Sequence, residues 1–183
     1  MVQHTITMNR DYKTLARLFF DICLLKKGPQ DVPDSSDVQI MVFMTYLLAG
    51  SVLISSGLPW SDAFYQSIIE TLLVAIFMYV LLLFFSLPNR FKQAITAIYG
   101  SGSLITMLSI PFIFWLDTLI KSESSTGVAG LAVFLIVCWS FVVMGHIIRE
   151  TIQKSLAISL LLTFCYLYLS YQVIHLIFPI AEL

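Results

Sequence analysis

The chain has 183 residues, of which 58% are hydrophobic and only 11% charged, with a formal net charge of −1. Soluble domains carry roughly 25% charged residues, so this composition excludes an ordinary water-soluble domain, and the balance of charge argues against a nucleic-acid partner. Five apolar stretches, each near the ~20 residues that cross a hydrocarbon core, leave only residues 1–38 and short loops for water, which excludes a soluble enzyme grafted onto an anchor.

The chain opens polar, with no short apolar region and small-residue cleavage site before residue 38, so no secretory signal peptide is expected. Residues 10–27 read as an amphipathic helix. Leu15, Leu18, Phe19, Ile22 and Leu25 recur on one face, while Lys13, Arg17 and Asp21 form the opposing stripe, with Arg17 and Asp21 spaced to pair. This helix is too short and too charged to span. It is expected either to lie in the membrane interface through Arg17, Phe19, Ile22 and Leu25, or to pack under the bundle. Gly28-Pro29 is expected to end it, because glycine suits a helix C-terminus and proline cannot continue one.

A turn-rich connector, Gln30–Asp37, leads into the first predicted span, residues 39–57. Gly57-Leu58-Pro59-Trp60-Ser61-Asp62 forms a tight turn to the second, residues 63–87, with Trp60 at a depth that aromatic side chains favour. Pro88–Lys92 leads to the third span, residues 93–120, and Lys121–Thr126 to the fourth, residues 127–148; the fifth covers residues 155–179. Short loops make successive spans antiparallel neighbours. The predicted fold class is therefore an all-α integral membrane protein, a bundle of five transmembrane helices behind an N-terminal amphipathic interfacial helix.

Nine of the ten Lys and Arg residues fall on alternate sides of these spans. Arg10, Lys13, Arg17, Lys26 and Lys27 precede the first; Arg90 and Lys92 follow the second; Arg149 and Lys154 follow the fourth; only Lys121 lies opposite. The positive-inside rule then puts the N-terminus in the cytoplasm and the C-terminus outside. Asp11, Asp21, Asp31, Asp34, Asp37 and Glu150 are interspersed, so attraction to anionic membrane lipids is weak, at about 1 kcal/mol per basic residue near the surface.

Within the third span Pro111 is expected to kink the helix, with Ser109 or Thr106 serving the backbone carbonyl that proline leaves unpaired. Ala94, Ala97, Gly100, Ser101, Gly102 and Ser103 in that span, and Gly127, Ala129 and Gly130 in the next, read as close-packing positions or as a hinge.

Glu70 is the one carboxylate well inside a span, about seven residues from its outer end. A charge there costs several kcal/mol, so it is a candidate proton, cation or headgroup site; the alternative is a protonated or paired Glu that fixes packing. Asp117 and His175 share that half of the membrane. His175 lies on a face with Tyr168, Tyr171 and Gln172, so Glu70, Asp117, Tyr171, Gln172 and His175 are the candidate members of one polar cluster. The other face of the last span carries Ser155, Ser159, Thr163, Tyr166 and Ser170, which read as hydroxyls bonded to their own backbone or as a permeation stripe. His146 and Arg149 suit a helix C-terminus without further function. No nucleophile elbow, zinc-protease or P-loop motif occurs, and Cys23, Cys138 and Cys165 have no metal-binding or redox spacing, so no catalytic residue, metal or cofactor is expected.

The layout resembles the bacterial branch of the YIP family of five-span membrane proteins, over residues 15–179. The resemblance rests on the polar N-terminus with its Pro29 and Pro33 connector, on Phe91-Lys92-Gln93-Ala94 through Tyr99-Gly100, and on Trp139, Gly145 and Arg149 followed by Lys154-Ser155-Leu156-Ala157. The Asp-Leu-Tyr-Gly-Pro motif of the eukaryotic members is missing, so Rab binding and vesicle trafficking are not implied. The short loops, the missing catalytic motifs and the close-packing residues point to a non-enzymatic, multi-pass inner-membrane protein of this YIP-like type, an interaction or accessory subunit in membrane or envelope organisation. A small transporter or channel using Glu70, alone or as a homo-oligomer, is the alternative, and lipid handling a third.

Overall fold

A computed structural model describes residues 4–178, with side chains placed from residue 13. The described residues are helical, with no strand, and five helices are long and apolar enough to cross a membrane. The elements are α1 (His4–Cys23), α2 (Ser36–Ile54), α3 (Trp60–Phe84), α4 (Phe91–Lys121), α5 (Gly127–Ile152) and α6 (Leu156–Ile177), with 3-10 turns at Pro29–Asp31 and Pro88–Arg90. The chain is a multi-pass helical membrane protein.

The spans form a ring in which α2 touches α3, α3 touches α6, α6 touches α5, α5 touches α4 and α4 returns to α2. Chain neighbours are spatial neighbours throughout, but unequally so. α4 packs far more broadly on α2 than on α3, although only a 3-10 turn separates it from α3.

Small residues set these contacts. Gly50 of α2 faces Ser67 of α3, Gly102 of α4 faces the Tyr46 ring, and Gly145 of α5 faces Leu160 of α6. Lipid gives helices no hydrophobic drive to associate, so close approach at such positions and hydrogen bonds between helices replace it. Ser67 Oγ donates to the Leu47 carbonyl at 2.8 Å, and Tyr99 Oη to the Thr71 carbonyl at 2.9 Å. Tyr99→Phe removes the second bond and strands no donor. Unfolding of reconstituted protein by a denaturing detergent is expected to show a loss of about 0.5–1.5 kcal/mol.

α4 has 31 residues, about 46 Å at ~1.5 Å per residue, well beyond a core about 30 Å thick. The excess lies at the end of the bundle that carries Arg90, Lys92, Arg149 and Lys154, and there protein replaces lipid on every side. Residues 94–101 are all buried, surrounded by α1, α2, α5 and the Pro29–Asp31 turn.

α1 differs from the sequence expectation in bounds and in setting. It begins at His4 rather than residue 10 and stops at Cys23 rather than residue 27. Leu25 turns left-handed (φ 60°), with Leu25 N–H bonded to the Ile22 carbonyl and Lys26 N–H to that of Asp21. This pair of bonds is the Schellman closure, formed without the glycine that usually marks it. Leu18, Phe19, Ile22 and Cys23 are buried in the bundle, with the Phe19 ring against Gly100. Of the two settings open to this helix, packing under the bundle takes the apolar face; Arg17 and Leu25 remain exposed. Asp21 pairs with Lys27 at 3.7 Å, not with Arg17.

Side chains on the spans then hold the segment after α1. Trp139 Nε1 donates to the Cys23 carbonyl (2.9 Å), Gln93 Nε2 to that of Val32 (3.4 Å), and His146 Nε2 lies 2.9 Å from the Lys27 carbonyl. A carbonyl only accepts, so that contact puts the His146 proton on Nε2. Arg90 Nη1 donates to the Thr151 carbonyl at 2.7 Å, a cation on the last turn of α5.

α4 continues as a helix through Pro111. Ser109 Oγ donates to the Thr106 carbonyl at 2.7 Å rather than to that of Met107, whose helical donor proline lacks.

Candidate functional site

α3 begins at Trp60, three residues earlier than the sequence pattern placed it, which makes Glu70 its eleventh residue of 25. Glu70 therefore lies about 15 Å from that helix end rather than about 10 Å. Its side chain points into a cavity of about 380 Å³ at the centre of the ring, lined from all five spans. Tyr46 of α2, Thr106 of α4, Ser140 of α5 and Tyr166 of α6 join it there, each within a turn of the middle of its own helix.

Gln66, one turn earlier on α3, donates from Nε2 to Glu70 Oε1 at 2.9 Å, and no other side chain of the described residues hydrogen-bonds the carboxyl. No Lys, Arg or His is among the residues that line the cavity. The wall is otherwise apolar or hydroxylic. Several hydroxyls are already spent on their own helices: Ser101 Oγ on the Ala97 carbonyl at 2.7 Å and Thr163 Oγ1 on the Ser159 carbonyl at 2.9 Å. Tyr166 stacks on Phe77 of α3 with ring centroids 5.1 Å apart, which fixes its ring at the α3–α6 contact.

One side of the cavity is open. The lining is buried or half-buried except at Val137 of α5 and Leu167 of α6, which are 54% and 43% exposed. Both lie mid-helix, where the surroundings are acyl chains rather than water.

The other members of the expected polar cluster are elsewhere. Asp117 bonds Lys121 on its own helix at 2.7 Å, so it is held at the end of α4. His175 is exposed, beside the Tyr171 ring at 6.0 Å between centroids, and Gln172 Nε2 donates to Tyr168 Oη at 3.2 Å. None of Asp117, Tyr171, Gln172 or His175 lines the cavity. The face of α6 that turns inward is the hydroxyl face: Ser159 and Thr163 are fully buried, Tyr166 nearly so, and Ser170 lines the cavity. Glu70 and His175 therefore do not meet.

The chain matches no family model, no curated protein and no solved structure. The YIP-like pattern thus stands on the sequence alone, and the site is read from its geometry.

Tyr46 and Gly102 complete it in a way that sequence spacing does not show. A Cβ on Gly102 would come within 2.7 Å of the Tyr46 ring, so glycine there lets the ring lie flat on α4 beside Glu70. Tyr46 also stacks on Tyr99 at 5.2 Å, tying α2 to α4. Among the described residues no group of His, Cys, Asp and Glu is placed to hold a metal ion. The arrangement offers one carboxyl, hydroxyls and aromatic rings, a set able to hold a proton or a cation.

Proposed function

We propose that this protein is a small membrane carrier in which Glu70 holds a proton or a cation midway across the bilayer. The observation that carries the reading is the placement of one carboxyl in a cavity that all five spans line at their midpoints. Membrane carriers hold substrates and coupling ions at this depth, where the site can be exposed to either side by rocking of helices around it. The absence of a cation from the lining means that a proton or an incoming cation must balance the carboxylate, since a lone charge at that depth costs several kcal/mol. Flux of protons or monovalent cations into vesicles carrying the reconstituted protein is expected to exceed that into empty vesicles. Equal rates in the two would overturn the proposal.

The orientation proposed is N-terminus inside and C-terminus outside, in a bacterial inner membrane. The charge bias supports the first part; only the YIP-like pattern supports the second. A periplasm-active reporter fused after residue 183 is expected to be active and a cytoplasm-active one silent. The reverse result would contradict the five-span orientation.

The reading as an accessory subunit is kept as a second proposal on one observation: the loops between spans are a few residues long, so the protein offers partners little beyond its lipid-facing helices. A partner recovered in gentle detergent from the native host would support it.

A further inference from the structure

We infer that the Glu70 cavity takes a lipophilic organic monocation, a quaternary or protonated amine with an apolar tail, which enters sideways from the bilayer between α5 and α6. The inference rests on the carrier reading of the same cavity and adds the class of ligand and its route.

Four features of the cavity point the same way. Its volume, about 380 Å³, falls in the range of roughly 300–1,000 Å³ typical of pockets for small organic molecules and far exceeds what a proton or bare metal ion needs. Its charge is a single carboxyl with no basic residue in the wall, so a ligand carrying one positive charge completes the balance. Its aromatic lining, Tyr46, Phe141 and Tyr166, offers ring faces that attract a weakly hydrated cation once it is out of water. Hydrated divalent ions are poor guests by the same comparison, because among the lining residues Glu70 is the one carboxylate and the other side-chain oxygens belong to neutral hydroxyls.

The route follows from which liners are exposed. Val137 and Leu167 border the opening, and both are aliphatic, so the portal is apolar while the far wall, with Glu70 and Tyr46 on α2 and α3, is polar. A molecule with a charged head and an apolar tail meets both: the head reaches Glu70 and the tail stays at the portal, in contact with acyl chains. The basic end of the bundle offers no comparable path, because residues 94–101 are packed there on every side.

The test uses the full-length protein in lipid nanodiscs and three probes: benzyldimethyloctylammonium, choline as a hydrophilic cation, and octylbenzene as an uncharged analogue. Equilibrium dialysis against empty nanodiscs measures specific uptake. The ammonium probe is expected to bind saturably at about one per chain, Glu70→Gln to weaken it at least tenfold, and choline and octylbenzene to show no saturable uptake. Val137→Trp with Leu167→Trp narrows the portal without touching Glu70; rapid filtration of the nanodiscs is expected to show association slowed at least tenfold, and an unchanged rate would overturn the route. Binding of choline equal to the ammonium probe, or ammonium binding that Glu70→Gln leaves unchanged, would overturn the inference. Absence of ammonium binding from a protein that still passes protons or inorganic cations would overturn it and leave the carrier reading standing. Ammonium binding without any flux would do the opposite.

Discussion

Glu70→Gln is expected to leave the bundle folded, with its melting temperature in mild detergent unchanged or raised, while flux falls to the level of empty vesicles. The amide keeps the shape of the side chain and an oxygen to accept from Gln66 Nε2, now at 2.9 Å from Glu70 Oε1. It loses only the ability to carry charge or exchange a proton. A polar group at mid-membrane that serves no ligand costs several kcal/mol when ionised and gains nothing in return, so removing the ionisable form does not harm the fold. The two readings of Glu70 separate cleanly here. If the carboxyl only fixes packing, the amide keeps that role and flux per folded molecule stays at the wild-type value. If it is the working group, flux disappears from a protein that melts as before or later.

Gly100→Leu is expected to have the largest effect on stability. A Cβ at Gly100 would overlap the Phe19 ring, and that ring is 4% exposed, with little room to move. Overpacking of this kind costs about 1–3 kcal/mol, and here the strain falls on the contact that docks α1 on the bundle. Cys23 reports the outcome. Its thiol is buried, donates to the Ser101 carbonyl at 3.6 Å, and is pushed by that burial from an ordinary 9.0 up to about 11. At pH 8 the docked thiol has about 100-fold less of the reactive thiolate than a free one. With Cys138→Ser and Cys165→Ser as background, maleimide labelling of Cys23 is expected to be slow in the parent and at least tenfold faster with Gly100→Leu. Adding Phe19→Ala to Gly100→Leu returns space to the leucine and is expected to recover part of the protection, a coupling that two independent sites would not show. Unchanged labelling in Gly100→Leu would mean that α1 does not depend on this contact. The same thiol sets a pH dependence. Docking holds the proton more tightly than the undocked state does, so its stabilisation is complete below about pH 9 and is lost as pH rises toward about 11.

The number and placement of spans were legible because each is a run of apolar residues bounded by proline, glycine or charge. Helix ends were less so. The ends at Leu25, Ser86 and Glu123 each close with a left-handed residue and the same pair of backbone bonds, yet none is glycine. Three helices therefore close without the glycine that usually occupies that left-handed position. The long-range contacts had no signal in the sequence either: Phe19 on Gly100 and Trp139 on the Cys23 carbonyl join residues more than seventy positions apart. Glu70 stood out because a carboxylate is rare in such a stretch. The hydroxyl stripe of α6 was visible as well, but not as the wall that faces Glu70, because no face of α6 is markedly more polar than another. His175, Tyr171 and Gln172 looked like the inward face by charge, and they lie outward near the helix end, where a polar group still reaches the interface. Ser159, Thr163 and Tyr166 look inward because small and hydroxylic side chains let α6 approach α5 and α3 closely. Tyr46 and Gly102 became visible only once α2 and α4 were side by side.

The claim that Glu70 is the working group of an accessible mid-membrane cavity is tested most directly by lipophilic carbodiimide labelling. The protein is treated with dicyclohexylcarbodiimide in vesicles, and modified peptides are quantified against remaining flux. Glu70 is expected to be modified ahead of Asp62, Asp117 and Glu123, with flux declining in proportion to the fraction of Glu70 modified. Flux that persists after Glu70 is fully modified, or a Glu70 that stays untouched while carboxyls at the helix ends react, would contradict it.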